Sequence, residues 1–70
     1  MPLKNVLPSE IVSVRINLGL SQSALARLAG VSRGTIIAIE NGQNSGLRMV
    51  TFLRICLALQ VTPKDRKSVV

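Results

Sequence analysis

If the run from Arg33 to Asn41 is helical, Arg33, Gly34, Ile37, Ala38 and Asn41 share one face, since successive residues turn by about 100°. Their chemistry is that of recognition and not of bond making. A guanidinium such as that of Arg33 can fork onto O6 and N7 of guanine, and it equally suits a phosphate. Ile37 and Ala38 offer methyl groups to thymine methyls. Gly34 and Ala38 keep the face shallow, so that a groove floor could approach closely. A plainly solvated helix face would carry Glu and Lys, and would avoid glycine, which costs ~1 kcal/mol against alanine in a helix interior. The plainer alternative is a corner of a helical bundle with no partner.

Other chemistries find few residues. The chain has three carboxylates, far apart, no histidine and one cysteine. Acid–base catalysis and zinc ligation both lack a constellation, so no enzyme activity, metal or cofactor is expected. Cys56, within Leu53-Arg54-Ile55-Cys56-Leu57, reads as a small buried hydrophobe. Nine lysines and arginines leave a net charge of +6, a field that suits a polyanion or an anionic membrane surface. The most apolar stretch, Met49 to Val61, contains Arg54 and falls well short of the ~20 residues needed to span a bilayer. The start, Met1-Pro2-Leu3-Lys4-Asn5, lacks the apolar run of a secretory signal, which gives a cytoplasmic expectation.

The elements that must position the Arg33–Asn41 face are marked by capping residues. Gly19, Gly30 and Gly42 each follow helical periodicity, and Ser21, Ser32 and Thr62 stand where N-caps are wanted. Helices are expected at 9–18, 22–29, 33–41 and 47–59, with a short turn from Pro63 and almost no strand. Seventy residues make one domain, with 1–7 a flexible arm and 63–70 a short turn or tail. A core this small supplies only ~3–5 kcal/mol, so oligomerisation would help. Between Gln22 and Asn41, Leu25 and Leu28 are expected to face inward with Ala26 kept small. Gly30 ends one helix, Val31 plugs the corner, and Ile36 and Ile39 bury the next. These features at these spacings specify two short helices crossing near a right angle. In the first helix, Arg15 falls inside the apolar arc of Ile11, Val12, Val14, Ile16 and Leu18. It either snorkels out along its stem or pairs internally. Glu10 reads as solvent-facing and Asp65 lies near the terminus, which makes Glu40 the economical partner.

The segments Arg15-Ile16-Asn17-Leu18-Gly19-Leu20-Ser21-Gln22, Ala24-Leu25-Ala26-Arg27-Leu28-Ala29-Gly30-Val31-Ser32-Arg33 and Ile39-Glu40-Asn41-Gly42 resemble the phage-repressor-type helix-turn-helix domains, the lambda repressor/Cro and xenobiotic-response-element group. The likeness covers about residues 9 to 62. It implies a compact all-α domain of four to five helices, binding double-stranded operator DNA as a two-fold homodimer. It implies that Arg15 and Glu40 form a buried ion pair and that Ser32, Arg33, Gly34, Ile37 and Ala38 face the bases. Ser21, Gln22 and Asn41 would meet phosphate, as would Asn44 and Arg48 from the following loop. That loop, Gln43-Asn44-Ser45-Gly46, departs from the family, which often carries a proline near Gly46-Leu47. The chain also stops at Arg66-Lys67-Ser68-Val69-Val70, where the family commonly continues into a dimer-forming helix. The fourth helix or a Val69-Val70 strand pair would have to serve instead. A transcriptional repressor or autorepressor is the function implied. An antitoxin whose main partner is a protein toxin shares the same domain, as do restriction–modification controllers and phage switches.

Overall fold

The computed structural model describes residues 4–43 and 47–64. Its elements are β1 (Asn5–Val6), a single 3-10 turn (Pro8–Glu10), α1 (Ile11–Asn17), α2 (Gln22–Ala29), α3 (Arg33–Glu40), α4 (Met49–Leu59) and β2 (Thr62–Pro63). Local chemistry sets most of these bounds. Ser21 and Ser32 are extended, and their hydroxyl oxygens accept from Ala24 N–H at 3.0 Å and Thr35 N–H at 3.2 Å, which starts α2 and α3. Gly30 stops α2 at φ +72°, and the Val31 N–H then donates to the Ala26 carbonyl at 3.0 Å. A Cβ on Gly30 would meet nothing within 4 Å, so its dihedral, and not crowding, calls for glycine. At the end of α4 the same left-handed role falls to Gln60, at φ +59°.

α2 is the central helix, with α3 and α4 both packed on it, while α3 also meets α1 and the 3-10 turn. The core joins Ile11 and Val14 of α1 to Leu25, Ala26 and Ala29 of α2. Ile36 and Ile39 of α3 and Phe52, Ile55, Cys56 and Leu59 of α4 complete it. Cys56 is buried as a small apolar group, and desolvation pushes its thiol up to about 11.

Several sequence expectations are corrected here. Leu28 is exposed and not inward-facing. The buried arc of α2 runs through Leu25, Ala29 and Ala26, and Leu28 lies about 100° from its middle. Ile16 and Leu18 are exposed as well, because α1 is buried along Ile11 and Val14 and has ended by Leu18. The first helix is split, its first turn being 3-10 behind Pro8. Glu10 is half-buried, and its Oε1 accepts the Leu7 N–H at 2.7 Å, capping that turn.

The chain ends also differ from expectation. From Lys4 onward the supposed arm is ordered: β1 and β2 pair in parallel, Asn5 opposite Thr62 and Val6 opposite Pro63. Thr62 N–H donates to Lys4 O at 2.9 Å, Lys64 N–H donates to Val6 O at 2.7 Å, and the Thr62 hydroxyl donates to the Asn5 side-chain oxygen. Thr62 is thus a strand residue and not an N-cap, and Pro63 continues the strand instead of opening a turn. A proline is tolerated there because no ladder bond is asked of its nitrogen. Val6 is 0% exposed, driven beneath the clasp into the core. Val6→Ala should therefore destabilise the protein by about 2 kcal/mol, by the usual cost of an emptied core site. Urea titrations of the two proteins check this, and matching midpoints would mean that the segment hangs free.

Candidate nucleic-acid interface

The outer face of α3 presents Ser32, Arg33 and Gly34 as exposed residues, with Ile37 and Ala38 half-buried behind them and exposed Asn41 just beyond the last turn. The Ser32 hydroxyl is engaged by the cap and by the Thr35 hydroxyl at 2.9 Å. The Ser-x-x-Thr spacing was the sequence signal for that hydroxyl pair. Gly34 is the most informative residue. It sits in the first turn of α3 without a left-handed φ, and a Cβ there would touch only the Ser32 Oγ, at an ordinary 3.8 Å. Alanine would fit and is the better helix former, by up to ~1 kcal/mol where a position is interior. Nothing inside the described molecule asks for glycine at this position.

The opposite end of α3 is held by a polar node. Glu40, its last residue, accepts Arg15 Nε at 2.6 Å through Oε2 and Arg15 Nη2 at 3.1 Å through Oε1. Gln22 Nε2 donates to the same Oε1 at 3.0 Å, and Arg15 Nη1 donates to the Leu20 carbonyl at 2.8 Å. The side chains of Arg15 and Glu40 are only 13% and 7% exposed. Arg15 therefore pairs internally and does not snorkel out. Burial alone would raise the Glu40 pKa. The hydrogen bonds from Arg15 and Gln22, with the Arg15 charge, outweigh it and hold the carboxyl below its usual value.

The node brings three of the residues singled out for phosphate to one end of the molecule. Ser21 and Gln22 open α2, Asn41 follows Glu40, and the Gln22–Glu40 hydrogen bond ties the two helix ends together. Gln22, singled out for phosphate by the family resemblance, has Glu40 as a partner within the fold. One Gln22 amide hydrogen is taken by Glu40, and the amide carries a second. Arg48 is exposed just ahead of α4, and Asn44 lies outside the described residues. Among the described residues, no three His, Cys, Asp or Glu side chains gather as a metal would require, and no helix is long and apolar enough to cross a membrane.

Removing either member of the pair strands the other. Arg15→Ala or Glu40→Ala should each cost about 3 kcal/mol, the low end for a buried pair because some water reaches this one. Replacing both, Arg15→Met with Glu40→Leu, should recover much of the loss, and thermal melts of the three variants decide the matter. The acid response follows from the lowered Glu40 pKa. Its contribution is full above the ordinary value of 4.5 and disappears as pH falls through the folded-state value. Stability should thus fall as the pH drops below about 4.5, and the fall should be shallower in Glu40→Gln.

The comparisons with known proteins bear on what this geometry serves. A family model described as helix-turn-helix matches residues 11–65. A search of curated proteins finds no match. Among solved structures, the restriction-modification controller protein C.AhdI from Aeromonas hydrophila superposes with a TM-score of 0.71 at 31% identity, over 77% of this chain and 80% of that one. With the capped α2–α3 corner and the Arg15–Glu40 node, the match over most of the chain places it in the helix-turn-helix family of lambda-repressor/Cro type, a family of DNA-binding transcriptional regulators.

Proposed function

We propose that this protein is a sequence-specific repressor, of a nearby operon or of its own gene, that reads the major groove with α3 as a homodimer on a pseudo-palindromic operator. The observation that carries this reading is Gly34. The first turn of α3 gives up some helix stability there with no return among the described residues, and close approach of a duplex is the compensation that the exposed face offers. Arg33 reads a guanine, Ile37 and Ala38 meet thymine methyls, and Ser32 and Gly34 let the helix end sit deep. Ser21, Gln22 and Asn41 hold backbone phosphates from the far end of α3, with Asn44 and Arg48 beyond them. One copy covers only ~600–1,000 Å² of duplex, which favours two copies on paired half-sites. The protein would act in the cytoplasm, at the chromosome. The likeness to a restriction-modification controller favours that genetic setting over a toxin partner.

Selection of binding sites from random duplex DNA tests the proposal directly, and an enriched inverted repeat is the expected result. Binding should lose roughly 10³–10⁵ in affinity between about 50 and 200 mM salt if six to ten phosphates are contacted per dimer. A flat salt response in filter binding would contradict the reading. Residue roles separate in a second measurement. Arg33→Ala should cost about 1–3 kcal/mol on the selected operator and relax the preference at one guanine per half-site. Asn41→Ala should weaken all duplexes alike. If Arg33→Ala also weakens every duplex equally, Arg33 is a phosphate ligand.

A further inference from the structure

The outer face of α3 is poor in polar groups. Gly34, Ile37 and Ala38 offer none from their side chains, and the Ser32 hydroxyl is already engaged by the Thr35 N–H and hydroxyl. Arg33 is the one cation that α3 carries, and it is exposed. A guanidinium donates hydrogen bonds and accepts none. Along Arg33, Gly34, Ile37 and Ala38 there is thus no side-chain acceptor for the amino groups of adenine or cytosine. What these residues can meet is guanine, through its O6 and N7 acceptors, and the C5-methyl group of a pyrimidine, through apolar contact.

The order of the residues decides how the two are combined. Helical spacing puts Arg33 and Ile37 in one row and Gly34 and Ala38 in the row beside it. A Cβ on Gly34 would meet nothing within 4 Å except the Ser32 hydroxyl, so the place next to Arg33 is open. Stacked bases are ~3.4 Å apart along a strand. A planar guanidinium forked onto guanine therefore comes within van der Waals reach of the base on the 5′ side. Where that base is a pyrimidine with a C5-methyl, the methyl stands in the major groove beside the guanidinium and opposite the open row. We infer that the preferred ligand of α3 is a C5-methylated pyrimidine immediately 5′ of a guanine, so that a methylated CpG is bound more tightly than a bare one. The inference rests on the major-groove reading above and gives the chemistry that such reading selects.

One chemistry, the C5-methyl, comes from two sources: thymine in a TpG step and 5-methylcytosine in a methylated CpG. A larger side chain at position 34 would occupy the place of the methyl, and Asn or Gln there would read adenine instead. Gly34 does neither. Burial of one methyl group changes affinity by about fourfold, and two half-sites together by about fifteenfold. Where the step is CpG, methylation of the DNA is then a signal to which this protein responds.

Parallel selections from random duplex DNA, with and without enzymatic CpG methylation, test this on the full chain. The unmodified pool should yield half-sites containing TpG, and the methylated pool half-sites containing TpG or methylated CpG. Anisotropy titrations then compare four duplexes that differ only at this step. Uracil in place of thymine should weaken binding about fourfold per half-site, and 5-methylcytosine in place of cytosine should tighten it as much. Gly34→Leu should bind thymine and uracil alike, and cytosine and 5-methylcytosine alike, with circular dichroism to check that its helices are kept. Arg33→Lys should lose the methyl effects too, because an ammonium lacks the planar fork. Equal wild-type affinities for thymine and uracil, or for cytosine and 5-methylcytosine, overturn the inference, as do methyl effects that survive Gly34→Leu. Selected half-sites in which the guanine follows a purine overturn it as well. Each of these results leaves the DNA reading standing, whereas a wild-type chain that selects no duplex sinks that reading and the inference together.

Discussion

Glu40 is where the geometry of the molecule converges. One carboxylate at the end of α3 takes two donors from the α1 arginine and one from the glutamine that opens α2. Arg15 spends a further nitrogen on the Leu20 carbonyl, so the turn between α1 and α2 is held by the same group. An eight-residue helix buried through only Ile36 and Ile39 has little apolar surface with which to set its own angle. The node supplies directional bonds at the point where apolar packing is thinnest, and the cap at Ser32 secures the other end. Between these anchors α3 has little freedom to tilt.

The same economy shapes the electrostatics. The chain has three acids and nine bases, and the two acids described are both turned inward to structural work. Among the described residues the fully exposed charges are all cationic, so the outer field is positive. Stability and recognition are thereby separated: negative charge holds the fold together, and positive charge is left for the partner. Gly34 gives up helix stability with no return among the described residues.

The limited core explains two further features. A chain of this length has little apolar volume to bury, and its ends would ordinarily fray. The β1–β2 clasp ties residues almost sixty positions apart, and in doing so drives Val6 into the core alongside Ile11. Closing the chain in this way also seats the 3-10 turn against α3, so the N-terminal segment helps to brace that helix. α4 has more apolar surface than the core can use. Val50, Leu53 and Leu57 on its outer side stay exposed.

Local chemistry determined much of this without tertiary help. Ser21 and Ser32 as caps, Gly30 as the corner, and the 3.6-residue period of Ile36 and Ile39 each act within a few residues, so the α2–α3 unit is legible from its own sequence. The buried Arg15 was legible too, because a charge inside an apolar arc needs a partner and few carboxylates exist. What the sequence could not decide was which part of each broad apolar arc faces inward. Leu28, Ile16 and Leu18 are as hydrophobic as Leu25 and Ile11, and only the way the helices pack on one another left the first three in water. The strand pair was equally hidden, since two-residue strands carry no period and their pairing depends on ends brought together by everything between them. The role of Gln22 lay between the two. Its position at a helix start was local, but its bond to Glu40 exists only because the corner folds one helix end onto the other.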